Sequence, residues 1–257
     1  MASFFISARR HWPLLGIFVF ACSNNGDVQE SVIVETIIDS IPATDTTVVP
    51  EPYIVDTLEQ RIIDAGLINI QDSIPGILVD LKYATEDNFM GQNVYGNMKR
   101  AYLQPDAVLA LKKSQLKLKE LDSTLTLLVY DAVRPRSVQR LMWDILDMPA
   151  SEKGKFVANP VNGSIHNYGC AVDITIANSD GLAFNMGAGY DDPAKIAYPS
   201  YEKHYLDSGM LTLQHIENRE LLRKVMRAGG FWGIGTEWWH FNLYAREVAA
   251  AKYAILE

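Results

Sequence analysis

The sequence predicts an α+β fold, on three observations. Segments with a helical apolar period and segments rich in β-branched residues both occur, yet without the strict alternation of a doubly wound sheet. No internal repeat is present. Of the 257 residues, 48% are hydrophobic and 21% charged, a balance that suits one well-packed domain of this length.

The chain opens with a targeting segment over residues 1–21. Arg9 and Arg10 make a positive start, and Trp12 to Ala21 is apolar but short for a bilayer span. Val19-Phe20-Ala21-Cys22 resembles a bacterial lipoprotein signal, in which a small residue precedes the cysteine that receives lipid. Val19 stands where leucine is usual, and an ordinary signal peptide or an uncleaved anchor is the alternative. The resemblance implies lipidation of Cys22. Ser23, rather than Asp, after the cysteine implies the outer membrane, with the domain facing the periplasm. Residues 22–57 read as an acidic flexible tether: Ser23 to Thr57 holds seven acidic residues, no Lys or Arg, and Pro42, Pro50 and Pro52. A short strand over Val32 to Ile38 has no evident partner.

The folded domain is expected over residues 58–257. Leu58 to Ala65 predicts a helix ended by Gly66, and Ile77 to Tyr83 a strand. Pro105 to Leu121 is the clearest helix, with proline in its first turn and Val108, Leu109, Leu111, Leu116 and Leu118 as its apolar side. Leu125 to Tyr130 predicts a buried strand, Ser137 to Asp147 a helix, and Ala171 to Ile176 a further strand. Asn218 to Ala228 predicts a helix stopped by Gly229-Gly230. Trp238 to Leu243 predicts the last strand, before a C-terminal helix.

Charge narrows the function. The formal net charge is −8, and −10 without residues 1–21. A chain this acidic, with no basic run, is a poor binder of nucleic acid. Anionic headgroups would repel it, so membrane contact needs the lipid anchor. With Cys22 lipidated, Cys170 has no disulfide partner.

Three segments carry chemistry. Ser164-Ile165-His166-Asn167-Tyr168-Gly169-Cys170-Ala171-Val172-Asp173 places a histidine and an aspartate seven apart across a glycine that permits a tight turn. Nitrogen and carboxylate donors together suit zinc. Glu237-Trp238-Trp239-His240 then sets a carboxylate three residues before a second histidine. Zinc peptidases need three protein ligands, an open position, and a carboxylate near the attacking water but off the metal. In a regular strand, residues three apart face opposite sides. Glu237 must therefore lie on the entry to the strand or beside a bulge, which Gly233 and Gly235 make plausible. In the third segment, Tyr130-Asp131-Ala132-Val133-Arg134-Pro135-Arg136, Arg134 stands at a strand end, where a cation can stabilise an oxyanion.

In combination these segments resemble the zinc D,D-peptidases related to VanX and to the D,D-carboxypeptidases. Asp80-Leu81-Lys82-Tyr83-Ala84-Thr85, Asn88-Phe89, Gly91 and Met186-Gly187-Ala188-Gly189-Tyr190-Asp191 are similar to the VanX-type D-Ala-D-Ala dipeptidases in particular. The resemblance covers roughly Leu58 to Tyr244, with the motifs in matching order. It implies a Hedgehog/DD-peptidase-like fold, with a central antiparallel sheet flanked by helices and one Zn2+ per chain. It implies His166, Asp173 and His240 as metal ligands, Glu237 as general base, and Arg134 as the group that polarises the scissile carbonyl. Ser164 is implied near the product carboxylate. Tyr83 and Asp191 are implied at the substrate's ammonium group, or Asp192 if that side chain points inward. A carboxylate there selects a free dipeptide, because a longer peptide would bring an uncharged amide.

The expected partner is a small D,D-dipeptide, in turnover of cell-wall peptides, and no obligate protein partner is evident. An export signal sets the chain apart from the dipeptidases of vancomycin resistance, which resemble cytoplasmic enzymes. The competing readings are a D,D-carboxypeptidase on longer wall peptides and a catalytically silent zinc module that binds the wall; Glu237 and Arg134 together argue against the silent module. His204 and His215 are read as surface or supporting groups, Cys170 as a small buried residue, and Trp238 and Trp239 as core and pocket wall.

Overall fold

Residues 53–257 are described by the structure, a computed structural model. The targeting segment, Cys22, the Val32–Ile38 strand and most of the tether lie outside the described residues. The first helix described begins one residue ahead of the expected Leu58. Helix α1 (Thr57–Asp64) is capped by Asp56, whose side chain accepts from the Glu59 amide. The Glu59 carboxylate is buried, and such a group needs donors. It receives the hydroxyls of Tyr53 at 2.6 Å and Tyr102 at 2.5 Å.

Next come β1 (Ile68–Asn69), α2 (Ile70–Ser73), β2 (Leu78–Val79) and β3 (Tyr102–Leu103), with β1 and β3 paired antiparallel in a small sheet of their own. The strand expected over Ile77 to Tyr83 is confined to β2. A 3-10 turn over Lys82–Ala84 breaks its alternation and buries Tyr83. Helix α3 (Pro105–Leu121) has the predicted bounds, with proline at its start. Its buried stripe runs through Val108, Leu111 and Leu118. Leu109 and Leu116, expected on that side, are exposed, because one step along a helix turns a side chain about 100°.

The main sheet is built from β2, β4 (Thr126–Asp131), β5 (Ala171–Ala177), β6 (Trp232–Gly233) and β7 (His240–Asn242), in the spatial order β2-β4-β5-β7-β6. The pairs β4–β5, β5–β7 and β6–β7 are antiparallel, as expected. The edge strand β2 runs parallel to β4, so the sheet is mixed. Helices α4 (Arg136–Ile145), α5 (Ala150–Lys153), α6 (Glu202–Asp207), α7 (Leu213–Gly229) and α8 (Arg246–Lys252) complete the domain.

Helix α7 starts well before the expected Asn218. Thr212 caps it by accepting the His215 amide, and His215 Nδ1 accepts the Thr212 amide in return. Histidine in place of Glu or Gln hides this capping box from a sequence reading. Gly230 ends the helix at φ 101°, where a side chain is disfavoured. One turn of α7 lies hard against α3: a Cβ on Gly229 would come within 2.4 Å of the Ala110 carbonyl oxygen.

Candidate active site

The site forms where three antiparallel strands set polar residues side by side. Asp131 on β4 is opposite Asp173 on β5, and Asp173 is opposite His240 on β7. Along β5, Val172 and Ile174 alternate with Asp173 and are fully buried on the other side of the strand. His166 arrives from the 3-10 turn Ile165–Tyr168, which ends at Gly169 with φ 66°. That left-handed residue reverses the chain so that a loop histidine and a strand aspartate meet.

His166 Nε2, Asp173 Oδ1 and His240 Nδ1 converge. Their separations are 3.1 Å between the nitrogens, 3.0 Å from His240 to Asp173 and 3.3 Å from His166 to Asp173. Donors about 2.0 Å from one tetrahedral ion lie roughly 3.3 Å apart, so the cluster has nearly the edge lengths of zinc coordination. The protons fit as well. The Ala132 carbonyl oxygen accepts from His166 Nδ1 at 2.6 Å, and Asn242 Oδ1 accepts from His240 Nε2 at 3.0 Å. With those outer nitrogens as donors, His166 Nε2 and His240 Nδ1 are the nitrogens that could turn lone pairs to a cation. Three such residues could hold one metal ion. Burial opposes charge on His240, but its hydrogen bond and attraction to Asp173 win and raise its pKa. Burial likewise opposes charge on Asp173, and the two histidines still hold its pKa well below the usual carboxylate range.

Glu237 lies ahead of β7 rather than within it, as the spacing requires, and its Oε2 is 3.9 Å from His240 Nδ1. Burial raises its pKa. Arg134 is buried just past β4. Its Nε and Nη2 both donate to Asp131 Oδ2, at 2.9 and 2.6 Å, while Asp131 Oδ1 accepts from Tyr95 at 2.6 Å. Among the described residues, Nη1 has no such acceptor, and Arg134 lines the same pocket as the cluster. The cavity measures about 370 Å³, toward the small end of the roughly 300–1,000 Å³ common for small-molecule sites.

Tyr83 and Asp191 close another wall. The Tyr83 hydroxyl donates to Asp191 Oδ1 at 3.0 Å. Asp191 Oδ2 is buried with no hydrogen-bond partner among the described residues. Burial, then the charge of Asp173, pushes the Asp191 pKa well above the carboxylate range. Asp191 is also the one non-glycine residue with positive φ, 60°, among those described, a strained conformation that recurs at functional sites. Asp192 lines the pocket too but accepts the Ala194 amide at 2.8 Å in the turn, whereas Asp191 is the one that Tyr83 reaches. Arg219, fully buried, holds both ends of this loop by donating to the carbonyls of Met186 at 2.7 Å and Ile196 at 3.0 Å. Ser164 lines the pocket with its hydroxyl donating to Gln139 Oε1 at 2.8 Å.

All eight residues singled out for metal, catalysis and substrate line this one pocket. His204 is exposed, His215 serves the α7 cap, and Trp238 and Trp239 are buried. Cys170 is buried away from the cluster, and burial pushes its thiol up to about 12. The sequence reading assigned no role to Asp131, Gln139, Asn242, Tyr190 or Arg219. Asp131 and Tyr190 stand inside quoted motifs, which was the available signal; the others carry no local pattern.

Comparison with known proteins places the chain among relatives of one kind. The family described as D-ala-D-ala dipeptidase matches residues 63–254. A D-alanyl-D-alanine dipeptidase of Escherichia coli (strain K12) is 34% identical over 190 residues, covering 74% of this chain and 89% of that protein. One from Enterococcus faecalis is 29% identical over 193 residues, covering 69% and 91%. One from Streptomyces coelicolor is 29% identical over 191 residues, covering 68% and 89%.

Proposed function

The chain belongs to the D-ala-D-ala dipeptidase family, and from that premise we propose that it cleaves free D-alanyl-D-alanine into two D-alanines, using one zinc ion held by His166, Asp173 and His240. It is a hydrolase of D-Ala-D-Ala-type peptide bonds, and its substrate is a small peptide. The orphan carboxylate oxygen of Asp191 carries the narrower reading. A buried oxygen without a donor suits a ligand that brings one, and the free ammonium of a dipeptide brings both hydrogens and charge.

Zinc in this site would supply Lewis-acid chemistry, polarising a carbonyl and making water a stronger acid. The protein's own groups do the rest. Glu237 takes a proton from water as its oxygen attacks the scissile carbon, and delivers that proton to the amide nitrogen as the C–N bond breaks. Arg134, with Nε and Nη2 fixed by Asp131, turns Nη1 to the oxyanion. Tyr83 orients Asp191 against the substrate's ammonium group. Ser164 meets the terminal carboxylate by rotating its hydroxyl hydrogen away from Gln139, whose Oε1 keeps the bond from Asn167.

The test is amine release by the purified chain from D-Ala-D-Ala and from its N-acetylated form, with zinc and after chelation. Chelator-sensitive cleavage of the free dipeptide alone is expected. Cleavage of the blocked substrate would favour a D,D-carboxypeptidase, and zinc binding without cleavage of either would favour a binding module. We further propose that Cys22 carries lipid and that the domain works in the cell envelope on wall-derived peptides. Among the described residues no helix is long and apolar enough to cross a membrane. Labelled fatty acid should enter the wild-type chain and not Cys22→Ala; an unlabelled cytosolic wild type would sink this part.

A further inference from the structure

The two oxygens of Asp173 have different surroundings. Oδ1 faces the histidine nitrogens, while Oδ2 accepts the Tyr190 hydroxyl at 3.0 Å and lies 3.5 Å from Arg134 Nη2. We propose that Tyr190 is a positioning residue for the metal cluster: its hydroxyl holds Asp173 so that one carboxylate oxygen, not two, is offered to the ion. The inference rests on the metal site of the proposed function and adds a residue to it.

Three features support the assignment. The Tyr190 ring is fixed, with centroids at 5.1 Å from Tyr130, 5.4 Å from Trp239 and 6.0 Å from Tyr83, so its hydroxyl is aimed by packing. Turning the carboxylate to present both oxygens would break the bond from Tyr190, leaving its hydroxyl without that acceptor. A carboxylate that gives a single oxygen leaves a coordination position for water and substrate, which hydrolysis needs. Hydrogen bonds of this kind orient ligands at metal sites in general.

The position in the chain adds a consequence. Tyr190 touches the metal cluster, and the next residue, Asp191, touches Tyr83 at the ammonium pocket. One peptide unit thus sets the spacing between the ion and the substrate's amino group. Arg219 holds the loop on either side of it.

Zinc affinity of the full chain, measured by competition with a chromophoric chelator, tests the idea with Tyr190→Phe, which keeps the ring and removes the hydroxyl. Tyr83→Phe is the control, since that hydroxyl touches Asp191 and not Asp173. Tyr190→Phe should bind zinc about 10–100-fold more weakly, and Tyr83→Phe as tightly as wild type. The cobalt-substituted Tyr190→Phe protein should show a weaker visible band, as a second carboxylate oxygen raises the coordination number. Equal zinc affinity in Tyr190→Phe and wild type would overturn the inference alone, as would equal weakening in both variants. A wild-type chain that binds no zinc would overturn the proposed function along with it.

Discussion

At the scale of the residue, Glu237 and His240 differ by position. Both face one pocket, but Glu237 precedes the strand and stays 3.9 Å from the inward nitrogen of His240. It is near enough to exchange protons with water held between them and is outside the three-donor cluster. Glu237→Gln is therefore expected to keep stoichiometric metal while kcat falls by about 10²–10⁴-fold, the usual worth of a general base. Metal analysis beside turnover checks this, and near-normal kcat would remove Glu237 from the mechanism. His166→Ala should instead lose metal and activity together, because two donors remain of three. Retained stoichiometric zinc would mean the ligand set is wrong. Each of these residues was singled out in the sequence because several dispersed motifs resemble one family in the same order, where any single spacing is weak. Tyr190 was not, since a tyrosine beside an aspartate has no spacing that marks a hydrogen bond to a strand seventeen residues earlier.

At the scale of the element, α3 and α7 make the clearest contrast. The bounds of α3 were readable from proline at its start and an apolar period. Which leucines it buries was not, because α7 covers only one side of it. Their contact is close at Gly229, where an added Cβ would meet the Ser114 hydroxyl at 2.2 Å and the Ala110 carbonyl oxygen at 2.4 Å. In an open helix, Gly→Ala gains up to about 1 kcal/mol. Here overpacking against backbone costs roughly 1–3 kcal/mol. The second effect wins, so Gly229→Ala should lower the melting temperature in a thermal scan; a rise would show that the two helices separate easily. Strand β2 carries the same lesson. Its residues alternate well enough for a longer strand, yet only Leu78 and Val79 pair with β4, and the following turn spends Tyr83 on the pocket.

At the scale of the whole molecule, segments far apart in sequence are tied together by charge. Asp106, in the first turn of α3, accepts from Lys252 of α8 and from the Tyr244 hydroxyl, both at 2.6 Å. Burial alone would raise its pKa, but these donors lower it. A carboxylate depressed in the folded state stabilises above its unfolded pKa, near 4, and that stability fades as pH falls through the folded value. Asp106→Asn should thus melt below wild type at neutral pH, and the gap should close in acid; a gap independent of pH would assign it to packing. A metal ion in the cluster would link regions in a similar way, since His166, Asp173 and His240 come from the turn before β5, from β5 and from β7. Chelation should lower the melting temperature, and added zinc should restore it. By itself, the sequence determined the α+β class and the main helices and strands, because propensity and caps are local properties, and its ordered motifs pointed to the residues that gather in the pocket. Only the tertiary structure decided the parallel edge strand, the buried side of α3, the bond from Tyr83 to Asp191, and the hydrogen bonds that orient the clustered side chains. Those depend on strand pairing and on chain reversals that bring distant residues within 3 Å, and no local pattern encodes such distances.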